Sequence, residues 1–198
     1  MNRSLLPLLL ALAAAIACAR APAAPSPDAR ARNEGGAAPA DFFPLAIGNT
    51  WTYLDRSPQQ PAPVQRVVRI LERDRDGYFV DDQRGALRAD GDCLHDRSRR
   101  LLCRPFAPGT SWSSVVGPSS TERYEIAGVD ETVAVPAGTF QGCVRVRSRL
   151  RGGGVEQVAE LTYARGVGLV RLETFVVVNG VARPQVRGEL ESYRLSGR

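Results

Sequence analysis

Residues 133–147 read VAVPAGTFQGCVRVR, and this stretch decides the fold of the chain. Pro136 fixes its own φ angle and Gly138 tolerates a left-handed backbone, so the chain can reverse tightly between them. After the turn, residues 144–147 alternate valine with arginine, which is the pattern of a strand with one buried and one solvated face. The stretch therefore predicts a β-hairpin whose arginines face solvent.

The same period-two pattern extends outward from this hairpin in both directions. Trp51 and Tyr53 share one face of a first strand, and Asn179-Gly180 is typical of a type I′ hairpin turn. Strands are also predicted over 121–129 and, after a short turn, over 131–135. Helical periodicity is absent after the N-terminal signal. We therefore predict an all-β domain, a single strongly curved antiparallel sheet of roughly 10–12 strands that forms a half-barrel or a closed barrel.

The N-terminus is an export signal. A basic head at Asn2-Arg3 precedes an apolar run from Leu5 to Ile16, which is too short to cross a bilayer as a helix. Small residues then precede Cys18, as in bacterial lipoprotein signals, which this segment resembles. The resemblance implies diacylglycerol and palmitate on Cys18, and Ala19 after it favours the outer membrane, facing the periplasm. The alternative is an ordinary signal peptide and a secreted or periplasmic protein.

These features divide the chain into three parts. Residues 1–17 are the predicted signal peptide and 18–40 a lipid anchor with a disordered tether rich in alanine and proline. Residues 41–198 form the predicted all-β domain.

The formal charge of +5 comes from 26 arginines, with no lysine, and acidic residues are interleaved with them. This distribution argues against a nucleic-acid partner.

Three cysteines remain after Cys18. Cys93 and Cys103 lie symmetrically about Ser98 in a predicted hairpin, so they fall opposite each other, and we predict a disulfide between them. Cys143 is then left over. Strict alternation places it on the arginine face, but a bulge at Gly142 would turn it inward as a buried free thiol. A disulfide to a partner chain is the other possibility.

No residue pattern indicates catalysis, a metal or a cofactor. His95 is the single histidine, and its spacing from the two neighbouring cysteines matches no common zinc motif. It is predicted to be an exposed histidine near a hairpin tip. The acidic turn Asp74–Gly77 lacks the glutamate that a calcium loop requires. We therefore expect a protein that is not an enzyme and predict no cofactor.

Three motifs, taken together, resemble a group of uncharacterised bacterial exported proteins and lipoproteins. They are FPLAIGNTWTY at 43–53, VPAGTFQGCVRV at 135–146 and YARGVGLV at 163–170. The resemblance implies a curved sheet similar to the half-barrel of LolA/LolB-type lipoprotein carriers and supplies no catalytic residues. We therefore expect a β-cup that binds an apolar ligand or lipid. An envelope scaffold acting through the arginine face of 143–149 is the alternative, and a hydrolase is a remote one.

Overall fold

The computed structural model describes residues 36–196, so Cys18, the predicted signal and most of the predicted tether lie outside the described residues. One short helix is followed by twelve strands. They are α1 (Pro39–Phe42), β1 (Thr50–Arg56), β2 (Val64–Arg73), β3 (Phe79–Asp81), β4 (Ala86–Ala89), β5 (Cys93–His95), β6 (Arg100–Cys103), β7 (Ser111–Gly117), β8 (Ser120–Val135), β9 (Gly138–Gly152), β10 (Val155–Ala164), β11 (Gly168–Val178) and β12 (Val181–Arg194).

All twelve strands belong to one antiparallel sheet, which confirms the predicted fold class. The strand order is β6-β5-β4-β3-β2-β1-β12-β11-β10-β9-β8-β7, so every strand lies beside a sequence neighbour and β1 pairs with β12. The predicted type I′ turn is present between β11 and β12, where Asn179 and Gly180 have φ angles of 52° and 77°. This order curls the sheet into a nearly closed barrel.

The remaining gap lies between β6 and β7, which share no ladder hydrogen bonds. Side chains close it instead. The Trp112 indole N–H donates to the Arg100 carbonyl at 2.6 Å, and the Arg100 backbone N–H donates to Ser114 Oγ at 3.0 Å. Trp112 also stacks on Tyr124, with ring centroids 5.6 Å apart. The Arg100 guanidinium also donates to the Ser113 carbonyl at 2.7 Å, so side chains of Trp112, Ser114 and Arg100 hold this gap together in place of a strand pair.

The wall of the barrel is uneven. Strands β3 to β6 have three or four residues each, whereas β8 to β12 have between 10 and 16. Because strands in a barrel are tilted and staggered, the short strands complete the wall at one end only. Beyond them, the long strands continue and leave their concave inner face uncovered.

The complete end of the barrel is filled by its own side chains. Trp51 is fully buried and its indole N–H donates to the Val167 carbonyl at 2.7 Å. The Phe43 ring packs on it, with centroids 5.1 Å apart. Helix α1 lies against this core, and its first residue, Pro39, is buried. The folded part therefore begins before residue 41, because proline fits the first turn of a helix and its ring adds to the core.

The 133–147 hairpin is longer than predicted. The two strands expected over 121–129 and 131–135 are one bulged strand, β8, since Asp130 takes a left-handed φ of 55° instead of ending the strand. Three register shifts against β9 bend the hairpin. Its tip reaches β12, where the Ala137 N–H donates to the Leu190 carbonyl at 2.9 Å. The hairpin thus supports β12 beyond Glu189, the last residue at which β12 pairs with β11.

Candidate functional site

The uncovered inner face of the long strands forms a concave groove, which we call the trough. Two cross-strand rows build it, because residues directly opposite each other in antiparallel strands point to the same face. The first row runs Tyr124, Ser148, Ala159, Thr174 and the second runs Glu122, Leu150, Gln157, Val176, each from β8 through β11.

The trough encloses about 290 Å³. Its lining mixes aliphatic and small polar side chains: Leu150, Ala159 and Val176 supply apolar surface, and Ser148 and Thr174 supply hydroxyl groups. Gln157 and Gln185 also line it, so the trough offers apolar surface together with several polar groups that can orient a ligand. The shape is a half-open cup with one polar end.

That polar end is formed by Arg99 and Glu122, and Arg99 also contacts Asp96 Oδ2 at 3.5 Å. Arg99 lies in the turn between β5 and β6, and its Nε is 3.0 Å from Glu122 Oε2. The arginine side chain is 44% exposed and the glutamate 13%, so the pair sits at the rim of the trough rather than in bulk solvent. Burial, and then the Glu122 carboxylate, raise the pKa of Tyr124 above its usual value, so this tyrosine stays a neutral hydrogen-bonding group.

A second ion pair lies beside Tyr53, away from the rim. Arg66 Nε donates to Asp55 Oδ2 at 2.6 Å, and the Arg66 guanidinium lies 4.7 Å from the centre of the Tyr53 ring. The hydrogen bond to Asp55 raises the pKa of Arg66 further. A Cβ added at Gly188 would lie 2.5 Å from Asp55 Oδ1, so a larger residue there would displace this carboxylate from its present position. The pair is satisfied internally and holds β1 to β2.

The cysteines predicted to pair do so in the structure. Cys93 and Cys103 are directly opposite in β5 and β6, with Cα atoms 4.2 Å apart, and a disulfide joins them. This bond fixes the hairpin whose turn carries Arg99. Cys143 is a free thiol with no exposed surface, and its Sγ donates to the Phe140 carbonyl at 3.5 Å. Burial, together with the Glu131 carboxylate, raises the pKa of the Cys143 thiol to about 11.

His95 is partly buried rather than exposed as predicted, because it pairs with an acidic neighbour. Its Nε2 lies 2.6 Å from Asp90 Oδ2, and its side chain is 19% exposed. Burial opposes ionisation of Asp90, but hydrogen bonds from the Cys93 and Asp92 N–H groups outweigh it and lower the pKa of Asp90. His95 is not among the residues that line the trough, so this pair fixes the loop before β5 and does not contribute to the candidate site.

The arginine face of β9 carries its own counter-charges. Arg145 contacts Glu131 and Glu160 at 2.9 and 3.1 Å, and Arg147 contacts Glu160 at 2.7 Å and Glu125 at 3.3 Å. Burial disfavours the Glu160 carboxylate, but hydrogen bonds and charge from the two arginines outweigh it and lower the pKa of Glu160. Both arginines are therefore already paired with carboxylates of the same domain.

Sequence reasoning missed Arg99, Glu122 and the small residues of the trough. Their spacing in the chain carries no motif, and they meet only through the register of four strands. A weak signal existed in Glu122, an acidic residue on the otherwise apolar face of a predicted strand. Within residues 36–196, no group of three or more potential ligands could hold a metal ion, and no helix is long and apolar enough to span a membrane.

No family model matches this chain, and no curated protein is similar to it. Two solved structures are similar to it. One is a protein inferred to be exported, with a YmcC-like fold, from Bacteroides fragilis, at 16% identity and a TM-score of 0.51, covering 80% of this chain and 100% of the other. The second, inferred to be a lipoprotein of Parabacteroides distasonis, has 14% identity and a TM-score of 0.40, covering 77% and 98%. The first likeness shows that the fold is YmcC-like.

Proposed function

We propose that this chain is a bacterial envelope lipoprotein that binds one amphiphilic small molecule in the trough and catalyses no reaction. The apolar chain of the ligand lies against Leu150, Ala159 and Val176, and its polar group lies at the Arg99–Glu122 pair. The observation that carries the proposal is the half-filled barrel, with a packed core at one end and an uncovered, shaped inner face at the other.

The dimensions favour a slender ligand. Small-molecule pockets usually enclose roughly 300–1,000 Å³, so the trough, at about 290 Å³, is at the lower limit and suits one acyl chain or a comparable flat molecule. A flexible apolar chain fits this lining, because Leu150 and Val176 offer apolar contact surface that imposes no directional hydrogen bond on the ligand. The hydroxyls of Ser148 and Thr174 limit how long an apolar segment the trough can accept. These properties favour a fatty acid or a lipid tail over a bulky sterol-like ligand.

The proposed location is the outer membrane, facing the periplasm, with acylated Cys18 as the anchor. The lipoprotein-like signal in the sequence supports it, and the disulfide between Cys93 and Cys103 fits an oxidising compartment. The similarity to LolA/LolB-type carriers stays a prediction. An assembly role through the arginine face of β9 has weaker support, since Arg145 and Arg147 are already paired with glutamates.

Binding of a fluorescent fatty acid to the purified mature chain tests this proposal. Ala159→Phe places a ring on the floor of the trough and should lower the affinity at least tenfold. Ala182→Phe is the matched control, because Ala182 is exposed, at the start of β12. Equal binding by both variants and the unaltered chain would refute the trough as the site, and so would no binding by the unaltered chain.

A further inference from the structure

A second surface with unusual chemistry lies on the outside of the barrel, on β8 and β9. Arg123 and Arg149 are directly opposite each other in these strands and both are exposed. Like charges in this position repel and destabilise the strand pair. Arg123 makes no ion pair with any described residue, in contrast to Arg145 and Arg147 on the same strand pair.

One acidic residue serves the whole cluster. Glu156 contacts Arg151 Nε at 2.8 Å and Arg149 Nη1 at 3.9 Å, and hydrogen bonding to Arg151 lowers the pKa of Glu156. Two of the three positive charges of Arg123, Arg149 and Arg151 are therefore uncompensated. The Arg149 and Arg151 side chains are 43% and 78% exposed, so they are free to reach a partner.

The arginines border two shallow cavities that also present hydroxyl groups. The cavities enclose about 440 and 310 Å³, and both are lined by Arg123 and Arg149. The first is also lined by the hydroxyl-bearing residues Ser111, Ser113 and Tyr124 and by the paired Arg147 and Glu125, and the second by Ser119, Thr121 and Glu156. Guanidinium groups with adjacent hydroxyls are suited to phosphate, because arginine presents a planar fork of donors that matches its oxygens.

The start of the described chain lies near the first arginine cavity. Gly36 and Ala37, where the described chain begins, border a cavity of about 610 Å³ together with Ser111 and Trp112. Ser111 and Trp112 also line the first arginine cavity. Gly36, the first described residue, therefore borders a cavity that adjoins the first arginine cavity.

We propose that Arg123, Arg149 and Arg151 bind the phosphate groups of anionic lipids in the membrane that carries the Cys18 anchor. This contact would orient the barrel on the bilayer. The inference uses the predicted acylation of Cys18 for its location and is independent of the trough and its ligand.

Vesicle binding by the mature chain, residues 18–198 with Cys18→Ser to remove the anchor, tests this inference. Vesicles of phosphatidylglycerol and phosphatidylcholine are compared with vesicles of phosphatidylcholine alone at low ionic strength. Each arginine near an anionic surface contributes about a fivefold gain, so Arg123→Gln with Arg149→Gln should weaken partitioning about thirtyfold. Arg69→Gln with Arg194→Gln is the matched control, since both arginines are exposed and flank Thr50 on β2 and β12.

The control pair should change partitioning by less than about threefold, because it removes the same net charge far from the cluster. The Arg123→Lys, Arg149→Lys variant keeps the charge but lacks the planar fork of donors, so it should bind vesicles more weakly than the unaltered chain and more strongly than the Arg123→Gln, Arg149→Gln variant. Equal losses in the two glutamine pairs would overturn the inference, as would unchanged binding in both. Saturable binding of inorganic phosphate that prevents vesicle binding would identify a free-phosphate site and contradict the lipid assignment. Thermal unfolding of each variant checks that it remains folded.

Discussion

Reduction of the Cys93–Cys103 disulfide is the perturbation whose effect can be worked out most directly from the structure. The bond joins residues 10 apart in sequence, so it closes a loop of about 11 residues. On the chain-entropy relation, such a loop restricts the unfolded state by about 9 cal/mol/K, which corresponds to about 2.8 kcal/mol at 25 °C. Reduction should lower the free energy of unfolding by this amount.

The assay is urea unfolding of the mature chain with and without a thiol reductant, which leaves every side chain in place. With a slope of about 2 kcal/mol/M, the midpoint should fall by roughly 1.4 M. Cys93→Ala with Cys103→Ala should show a midpoint near that of the reduced protein and no response to reductant. A shift below about 0.5 M on reduction would refute the reasoning, because it would mean that the cross-link restricts the unfolded chain far less than its loop length requires.

Three further predictions concern single residues. Gly168→Ala should destabilise the fold by more than about 1 kcal/mol in thermal unfolding, because its φ is 123° and the added Cβ would lie 3.0 Å from Trp51 Nε1, whereas Gly91→Ala, with open space around it, should be nearly neutral. Cys143 should resist a thiol reagent at pH 8 until denaturant is added, because it is buried and its thiol pKa is about 11; rapid labelling of the native protein would contradict its placement. Glu160→Gln should destabilise the protein at neutral pH, and the difference should vanish as the pH falls through the lowered pKa of the Glu160 carboxyl, below its usual value of 4.5; a difference that grows in acid would show the opposite sign.

The fold was predictable because local chemistry specifies it. Alternation in 144–147 and the Asn179-Gly180 turn each define a strand or a hairpin within a few residues. The topology adds little to these local signals, because it is a meander. Every strand pairing joins neighbours in the sequence except the pairing of β1 with β12. The disulfide was predictable for the same reason, because both of its cysteines lie in one short hairpin.

The trough was not predictable, because it depends on lengths and registers that sequence patterns leave open. Glu122, Leu150 and Val176 share a face only through the pairing of β8 to β11. The bulge at Asp130 was mistaken for a turn, since a left-handed residue looks the same in the sequence in either context. Pro39 was assigned to the tether because the residues around it in the sequence do not show that its ring packs into a core formed by residues far away in the chain.

Native mass spectrometry of the mature protein, purified from a bacterial envelope without added lipid, tests the central claim most directly. We predict one bound amphiphile per chain, lost in Ala159→Phe and retained in Ala182→Phe. Detection of the protein without a bound amphiphile would contradict the claim that the trough is a ligand site. So would an amphiphile that stays bound to the Ala159→Phe variant.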